Sequence, residues 1–192
     1  MRALVAFDKF KDSMSAAEAC AVASRAIRRA KPNWSVEICP VADGSGGFAS
    51  ILTQYRGGEL FHATVSGPLF KPVEAHFGLV DGSKFSMSSR AWLDIPERGK
   101  VAVIEMAQVA GLSLLAPDAR NLWYTSSYGL GEILKLVLDL RPDLIIVGIG
   151  GSATHDLGFG ALEALGLRFR AETGELLTQI TPQSFSRVVA LE

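Results

Sequence analysis

Three short segments of this sequence carry residue types suited to handling negatively charged oxygen. The first is Gly148-Ile-Gly-Gly-Ser-Ala-Thr154, directly behind an apolar run at 144–149. A strand that stops in a glycine-rich turn and opens a helix exposes backbone N–H groups. These converge with the positive end of the helix dipole and suit a phosphate or a carboxylate. The candidate contacts are Gly148, Gly150, Gly151, Ser152, Ala153 and Thr154, the glycines allowing close backbone approach and the hydroxyls adding donors. The segment is neither a Walker A loop nor a GxGxxG fingerprint. A tight turn with no ligand is the alternative.

The second segment, Asp43-Gly-Ser-Gly-Gly47, repeats the design with one carboxylate. Asp43, beside the amides around Gly44, could hold Mg²⁺ on a phosphate or accept a hydroxyl proton, or it could simply close an Asx-turn. The third, Asp8-Lys-Phe-Lys-Asp12, follows the first apolar run. In open α/β sheets, ligands bind beyond the carboxyl ends of the strands. Lys9 and Lys11, two apart in an extended loop, would face one side and Phe10 the other, with plain solvation the alternative for at least one lysine. His155 and Asp156 are adjacent, so a helix would set them about 100° apart and no relay forms. Asp156 is either a further contact of the anion site or a helix cap.

These loops need strands and helices to position them. Residues 3–7 form a short apolar run, and the spacing predicts a helix capped by Ser13 or Ser15, with Glu18 completing a capping box for Ser15, ending near Ala30 and stopped at Pro32. A strand at 36–41 would complete a right-handed β-α-β unit. A helix over 48–55 ends at Gly57-Gly58. From Glu59 the period changes to two: 61–65 and 73–77 alternate around Gly67-Pro68, and Asp81-Gly82 reads as a hairpin turn. Residues 86–100 are expected to be a loop or mobile excursion. A strand at 101–106, a helix over 127–140, the strand at 144–149, a helix from the glycine turn to Leu165 and a strand near 167–170 follow.

The fold class is α/β. An incomplete parallel-sheet βαβ start of Rossmann or flavodoxin-like type occupies 1–58, and a second mixed α/β domain occupies 59–192.

Composition narrows the function classes. With 19 basic against 20 acidic side chains the net charge is −1, so nothing draws the chain electrostatically to nucleic acid or anionic lipid. Arg25, Arg28 and Arg29 read as a solvated helix face. Cys20 and Cys39 are expected to be buried and reduced, and no cysteine spacing suggests zinc. No apolar run is long enough to cross a bilayer, and charge at Asp8, Lys9 and Lys11 argues against a signal peptide, so a cytoplasmic protein is expected. Leu191-Glu192 has the composition of a tag junction, so the natural chain could end elsewhere.

Six ordered segments resemble the glycerate kinase family. Phe7-Asp-Lys-Phe-Lys-Asp-Ser-Met-Ser-Ala16 is similar to its Pro-Asp-Ser-Phe-Lys-x-Ser-(Leu/Met)-Ser-Ala, and Val41-Ala-Asp-Gly-Ser-Gly-Gly-Phe48 to its Val-Ala-Asp-Gly-Gly-Glu-Gly-Thr. Val65-Ser-Gly-Pro-Leu69, Ile104-Glu-Met-Ala107 with Ala110-Gly-Leu112, and Thr125-Ser-Ser-Tyr-Gly129 with Gly131-Glu132 resemble further segments. Gly148 to Asp156 matches Gly-Ile-Gly-Gly-Ser-Ala-Thr-Asn-Asp except at His155. The resemblance covers the N-terminal half of the family pattern. It implies two domains around a cleft, the first completed by later chain. If this chain stood alone, an exposed apolar face should follow.

The resemblance also implies ATP with Mg²⁺ and phosphoryl transfer to a hydroxyl of glycerate or a related sugar acid. Lys11 would neutralise developing charge, Asp43 or Asp8 would hold Mg²⁺ or orient the hydroxyl, and the Gly148–Thr154 loop would bind phosphate or the acceptor carboxylate. The partner is a small molecule, and a homodimer is among the assemblies left open. Several positions depart from the pattern. Lys9, Gly46 and Phe48 replace a serine, a glutamate and a threonine; His155 replaces an asparagine; Leu157 and Phe159 replace a glycine and an alanine. Those changes support an alternative: a non-catalytic, glycerate-kinase-like module that binds a sugar acid or nucleotide.

Overall fold

The computed structural model describes residues 1–11 and 13–192, so Asp12 of the first loop lies outside the described residues. The elements are β1 (Arg2–Val5), α1 (Ala16–Ala30), β2 (Ser35–Ile38), α2 (Phe48–Tyr55), β3 (Glu59–Ser66), β4 (Pro72–Asp81), α3 (Met87–Leu93), β5 (Lys100–Glu105), α4 (Ala107–Ala110), α5 (Tyr128–Asp139), β6 (Leu144–Gly148), α6 (Phe159–Leu165), β7 (Phe169–Arg170), β8 (Leu176–Leu177) and β9 (Ala190–Leu191). The architecture is α/β, with parallel and mixed sheets.

The opening is a β-α-β unit in which β1 and β2 pair in parallel, Val5 opposite Ile38. Ser15 starts α1 through the expected box: its Oγ accepts from the Glu18 N–H, and Glu18 Oε2 accepts from the Ser15 N–H at 2.8 Å. The buried stripe of α1 is small, Ala16, Ala19, Cys20 and Ser24, so the helix lies close enough for Cys20 Sγ to reach the Val5 carbonyl. Cys20 is fully buried, Cys39 only partly, and both are free thiols. Leu4 is 66% exposed, and Phe7, Val22 and Val41 are also uncovered, so this unit carries exposed apolar surface.

A four-stranded sheet in the order β3-β4-β5-β6 forms the centre, antiparallel except for the parallel β5–β6 pair. Strand β5 is interior, and both of its faces are buried. Ala102 and Ile104 join Phe77, Val109, Ile133 and Val137 beneath α4 and α5. Val101 and Val103 join Ala49, Val80, Phe85 and Ile95 on the opposite face, where α2 packs. A continuous apolar run at 101–104 is how a strand covered on both faces reads. Strand β6 is an edge, which is why its equally apolar Leu144–Val147 stretch is only partly buried. A small antiparallel sheet, β8-β7-β9, closes over Phe169, Leu177 and Ile180.

Three local expectations change. Asp81-Gly82 is not a hairpin turn. Asp81 Oδ1 accepts from the Ser83 N–H to start a 3-10 turn, and β4 meets β5 only after the whole 82–99 segment, with Asp81 in register with Lys100. Residues 86–100 are not merely a loop. They contain α3, capped by Ser86 Oγ accepting from the Ser89 N–H. Because α3 buries no side chain, it leaves no hydrophobic period to read. Finally, the glycine turn after β6 does not open a helix at once. Residues 149–158 intervene, and α6 begins at Phe159 behind Gly158 at φ +74°. Among the described residues no helix is long and apolar enough to cross a membrane.

Candidate functional site

Two glycine loops lie back to back. Gly44 O accepts from the Gly150 N–H at 3.2 Å, and a Cβ on Gly148 would fall 2.6 Å from Phe48 Cδ1 and closer still to Gly44 O. Gly148 is therefore where one backbone passes over the other with no room for a side chain, while Gly44 is held to glycine by its φ of +96°. The loop at 149–156 is then clamped from two sides. Ala153 N–H donates to Ala110 O at 2.8 Å and Leu112 N–H donates to Gly151 O at 2.9 Å. From the other side Thr125 Oγ1, fully buried, donates to Ala153 O at 3.1 Å.

Asp156 completes the clamp. At 2% exposure, its Oδ2 accepts from Ser127 N–H and Ser127 Oγ at 2.7 Å each and from Gly160 N–H at 3.2 Å, while Oδ1 accepts from Gly158 N–H. It joins the start of α5 to the start of α6. Gly160 permits this approach, since a Cβ there would lie 2.7 Å from Tyr128 N.

The helix-dipole argument for anion binding meets a competitor at the other loop. The N-terminus of α2 is taken by Glu105, 4% exposed, which accepts from Gly47 N–H and Ala49 N–H at 3.2 Å. The amides of Gly150 and Ala153 are likewise engaged by backbone carbonyls. Gly151, at φ +71°, is exposed at the edge of an open space, and its N–H meets no backbone acceptor among the described residues.

That open space is a cleft of about 410 Å³ lined by Lys9, Lys11, Asp43, Ser45, Gly151 and Arg120 among others. Three cationic side chains converge on it against one lining carboxylate. Lys9 crosses to the second loop: its Nζ lies 2.8 Å from Asp43 Oδ1, 3.0 Å from Ser45 Oγ and 3.3 Å from Ser45 O. Asp8 holds the root of this arm, its Oδ1 accepting from the Lys9 N–H at 2.6 Å and standing 3.9 Å from Nζ. Bonds from Lys9 first, and from Ser45, hold the Asp43 carboxyl below the usual carboxylate range. Arg120 anchors its Nε on the Leu115 carbonyl at 3.2 Å. Next to it a smaller cavity of about 280 Å³ is lined by Arg120, Asn121, Ser152, Ala153 and His155.

The structure thus brings Lys11, Asp43 and Gly151 together in one cleft and sets Asp8 behind it. Ser152 and Ala153 line the neighbouring cavity, Gly44, Gly148 and Gly150 form the loop contact, and Asp156 is enclosed. Thr154 lines neither cavity. Arg120, Glu105, Thr125 and Ser127 had not been singled out as site residues. A run of three hydroxyls at 125–127 ahead of a glycine-bearing helix was the available signal for the last two, because buried hydroxyls need partners.

A family model described as the glycerate kinase family matches residues 3–192. The chain belongs to the glycerate kinase family. It is 40% identical to a glycerate kinase of Halalkalibacterium halodurans over 172 residues, covering 90% of this chain and 41% of that protein. It is 35% identical to the glycerate 2-kinase of Escherichia coli K12, covering 88% and 40% respectively. A crystal structure from Salmonella typhimurium LT2, described only as a candidate glycerate kinase 2, superposes with a TM-score of 0.73 at 31% identity, covering all of this chain and 47% of the other. The chain therefore spans less than half the length of the relatives it matches.

Proposed function

We propose that this chain supplies the phosphate-handling part of a glycerate kinase, which transfers a phosphoryl group from ATP to a hydroxyl of glycerate or a closely related small sugar acid in the cytoplasm. The observation that carries this reading is the convergence of Lys9, Lys11 and Arg120 with the Gly151 backbone on one cleft. Phosphoryl transfer asks a protein mainly to position two substrates and to stabilise charge on the transferring oxygens. Lys11 and Arg120 would hold phosphate oxygens, the guanidinium offering a planar fork of donors and Lys11 a point charge. The Gly151 N–H adds one fixed dipole. Asp43, with Oδ1 already engaged, has Oδ2 to orient the acceptor hydroxyl.

The family resemblance implies Mg²⁺ at Asp43 or Asp8. The residues present do not fit it: Asp43 carries the Lys9 ion pair, and among the described residues no group of three or more His, Cys, Asp or Glu gathers. The same ion pair favours the second reading, a module that binds a sugar acid or nucleotide without turnover. Thermal shifts with ATP and with D-glycerate, beside a coupled assay for ADP release, separate the two. ATP should raise the melting temperature, and Lys11→Met or Arg120→Gln should reduce the rise. Shifts without ADP release point to the module; no shift with ATP, ADP or glycerate removes both.

A further inference from the structure

Two of the departures from the family pattern, Lys9 and Gly46, touch each other. Gly46 has φ +62°, and a Cβ built on it would fall 2.8 Å from Lys9 Cε and closer still to Cδ. The lysine stem thus runs through the volume that any side chain at 46 would claim. Its Nζ arrives among four oxygens: Asp43 Oδ1, Ser45 Oγ, Ser45 O and, at 3.9 Å, Asp8 Oδ1. Only 18% of the Lys9 side chain is exposed, against 57% for Asp43. An oxygen-only set containing two carboxylates is what a hard cation takes.

We propose that Lys9 is the resident cation of this cleft: it fills the place among Asp8, Asp43 and Ser45 that a divalent ion would need, and glycine at 46 is what admits it. The two positions act as a unit. A carboxylate side chain at 46 would expel the lysine and add a ligand, whereas the pair found here removes a ligand and supplies the charge from within the chain. The specificity of the acidic end of the cleft follows. It presents a fixed ammonium to an anionic ligand rather than a carboxylate to a metal, and it excludes Mg²⁺ or Mn²⁺ from Asp43.

The inference rests on reading this cleft as the ligand site, yet its test uses neither nucleotide nor acceptor. It can therefore fail while the ATP-induced thermal shift stands, and the reverse holds too. Mn²⁺ is titrated into the chain with free ion followed by electron paramagnetic resonance. The wild type should show no saturable site lost in Asp43→Asn. Lys9→Met keeps the stem over Gly46 and removes the charge; it should bind Mn²⁺ at least about tenfold tighter, and Lys9→Met/Asp43→Asn should lose that gain. Lys9→Ser/Gly46→Glu should bind tighter still. A wild-type Mn²⁺ site that disappears in Asp43→Asn overturns the proposal, and so does a Lys9→Met chain that binds no better than wild type.

A second measurement reads the packing without any metal. Gly46→Ala carries the same backbone strain in any background but meets the lysine stem only when Lys9 is present. Its melting-temperature loss should be about 2–4 °C larger with Lys9 than with Lys9→Ser. Equal losses would show that the two positions are independent and that Gly46 does not admit the lysine.

Discussion

Replacing Asp156 should be among the most damaging single changes in this chain, and the arrangement of its oxygens says by how much. Oδ2 accepts three bonds, two of them at 2.7 Å from Ser127, and Oδ1 accepts one, at 3.2 Å. Bonds to a charged acceptor contribute about 1.5–3 kcal/mol each, and a buried donor left alone costs a similar amount. Counting only the two short bonds, and allowing some relaxation, Asp156→Ala should cost about 3–5 kcal/mol. Asp156→Asn can place its oxygen at the Oδ2 position and keep three acceptor contacts, turning an amide toward Gly158 N–H only. That should cost about 1–2 kcal/mol. Urea unfolding with an unchanged slope measures both losses. If Asp156→Ala lost less than about 1 kcal/mol, or if Asn were no better than Ala, the carboxylate would not be joining α5 to α6 as argued.

Other changes separate framework from ligand handling. Glu105→Gln leaves one oxygen for the amides at the start of α2 and should lower stability by about 1 kcal/mol in the same unfolding assay; no loss would mean that α2 does not depend on this cap. Arg120→Gln, at an exposed position, should leave stability within about 0.5 kcal/mol while weakening ATP binding about tenfold by calorimetry. Unaltered affinity would take Arg120 out of the site. Burial, as the largest cause, lowers the His76 imidazole below its ordinary value, with neighbouring Glu105 opposing and His62 adding to the shift. The unfolded chain then takes up a proton that the folded chain resists, so this group's contribution is full above about pH 6.5 and is lost as pH falls through that value. His76→Gln should flatten the decline in melting temperature between pH 7 and pH 5, and an unchanged slope would refute the assignment.

How far the sequence could be read depended on whether a segment's signal was local. The capping box at Ser15 and Glu18, the bounds of α2 and the alternation of β3 and β4 are properties of neighbouring residues, and each appears in the structure where expected. Helix α3 was invisible because Met87 and Trp92 are 80% and 84% exposed, which leaves Leu93, partly buried against the core, as its one large apolar contact and no periodic face to read. The clustering of Asp8, Lys9 and Asp43 could be anticipated, since both loops follow the carboxyl ends of parallel strands. Arg120 could not. It sits in a run of short 3-10 turns over 112–124, and what brings it to the cleft is pairing at a distance, Gly111 with Ser152. No periodicity records such a contact.

The same distinction explains how this site handles charge. An anion hole was expected from loop amides backed by helix dipoles. In the fold those dipoles and amides are largely committed: Glu105 takes the start of α2, Gly44 takes the Gly150 amide, and α6 begins too late to lend its own. The positive charge that remains in the cleft comes from side chains that reach across from other loops, Lys9, Lys11 and Arg120. The positions that match the family pattern, Thr125, Ser127, Gly148 and Asp156, fix where the loops stand. Two that depart from it, Lys9 and Gly46, line the cleft itself. A frame kept by buried, partnered groups can tolerate such a change in charge, because Lys9 reaches Asp43 and Ser45 and takes part in none of the bonds that clamp the loops together.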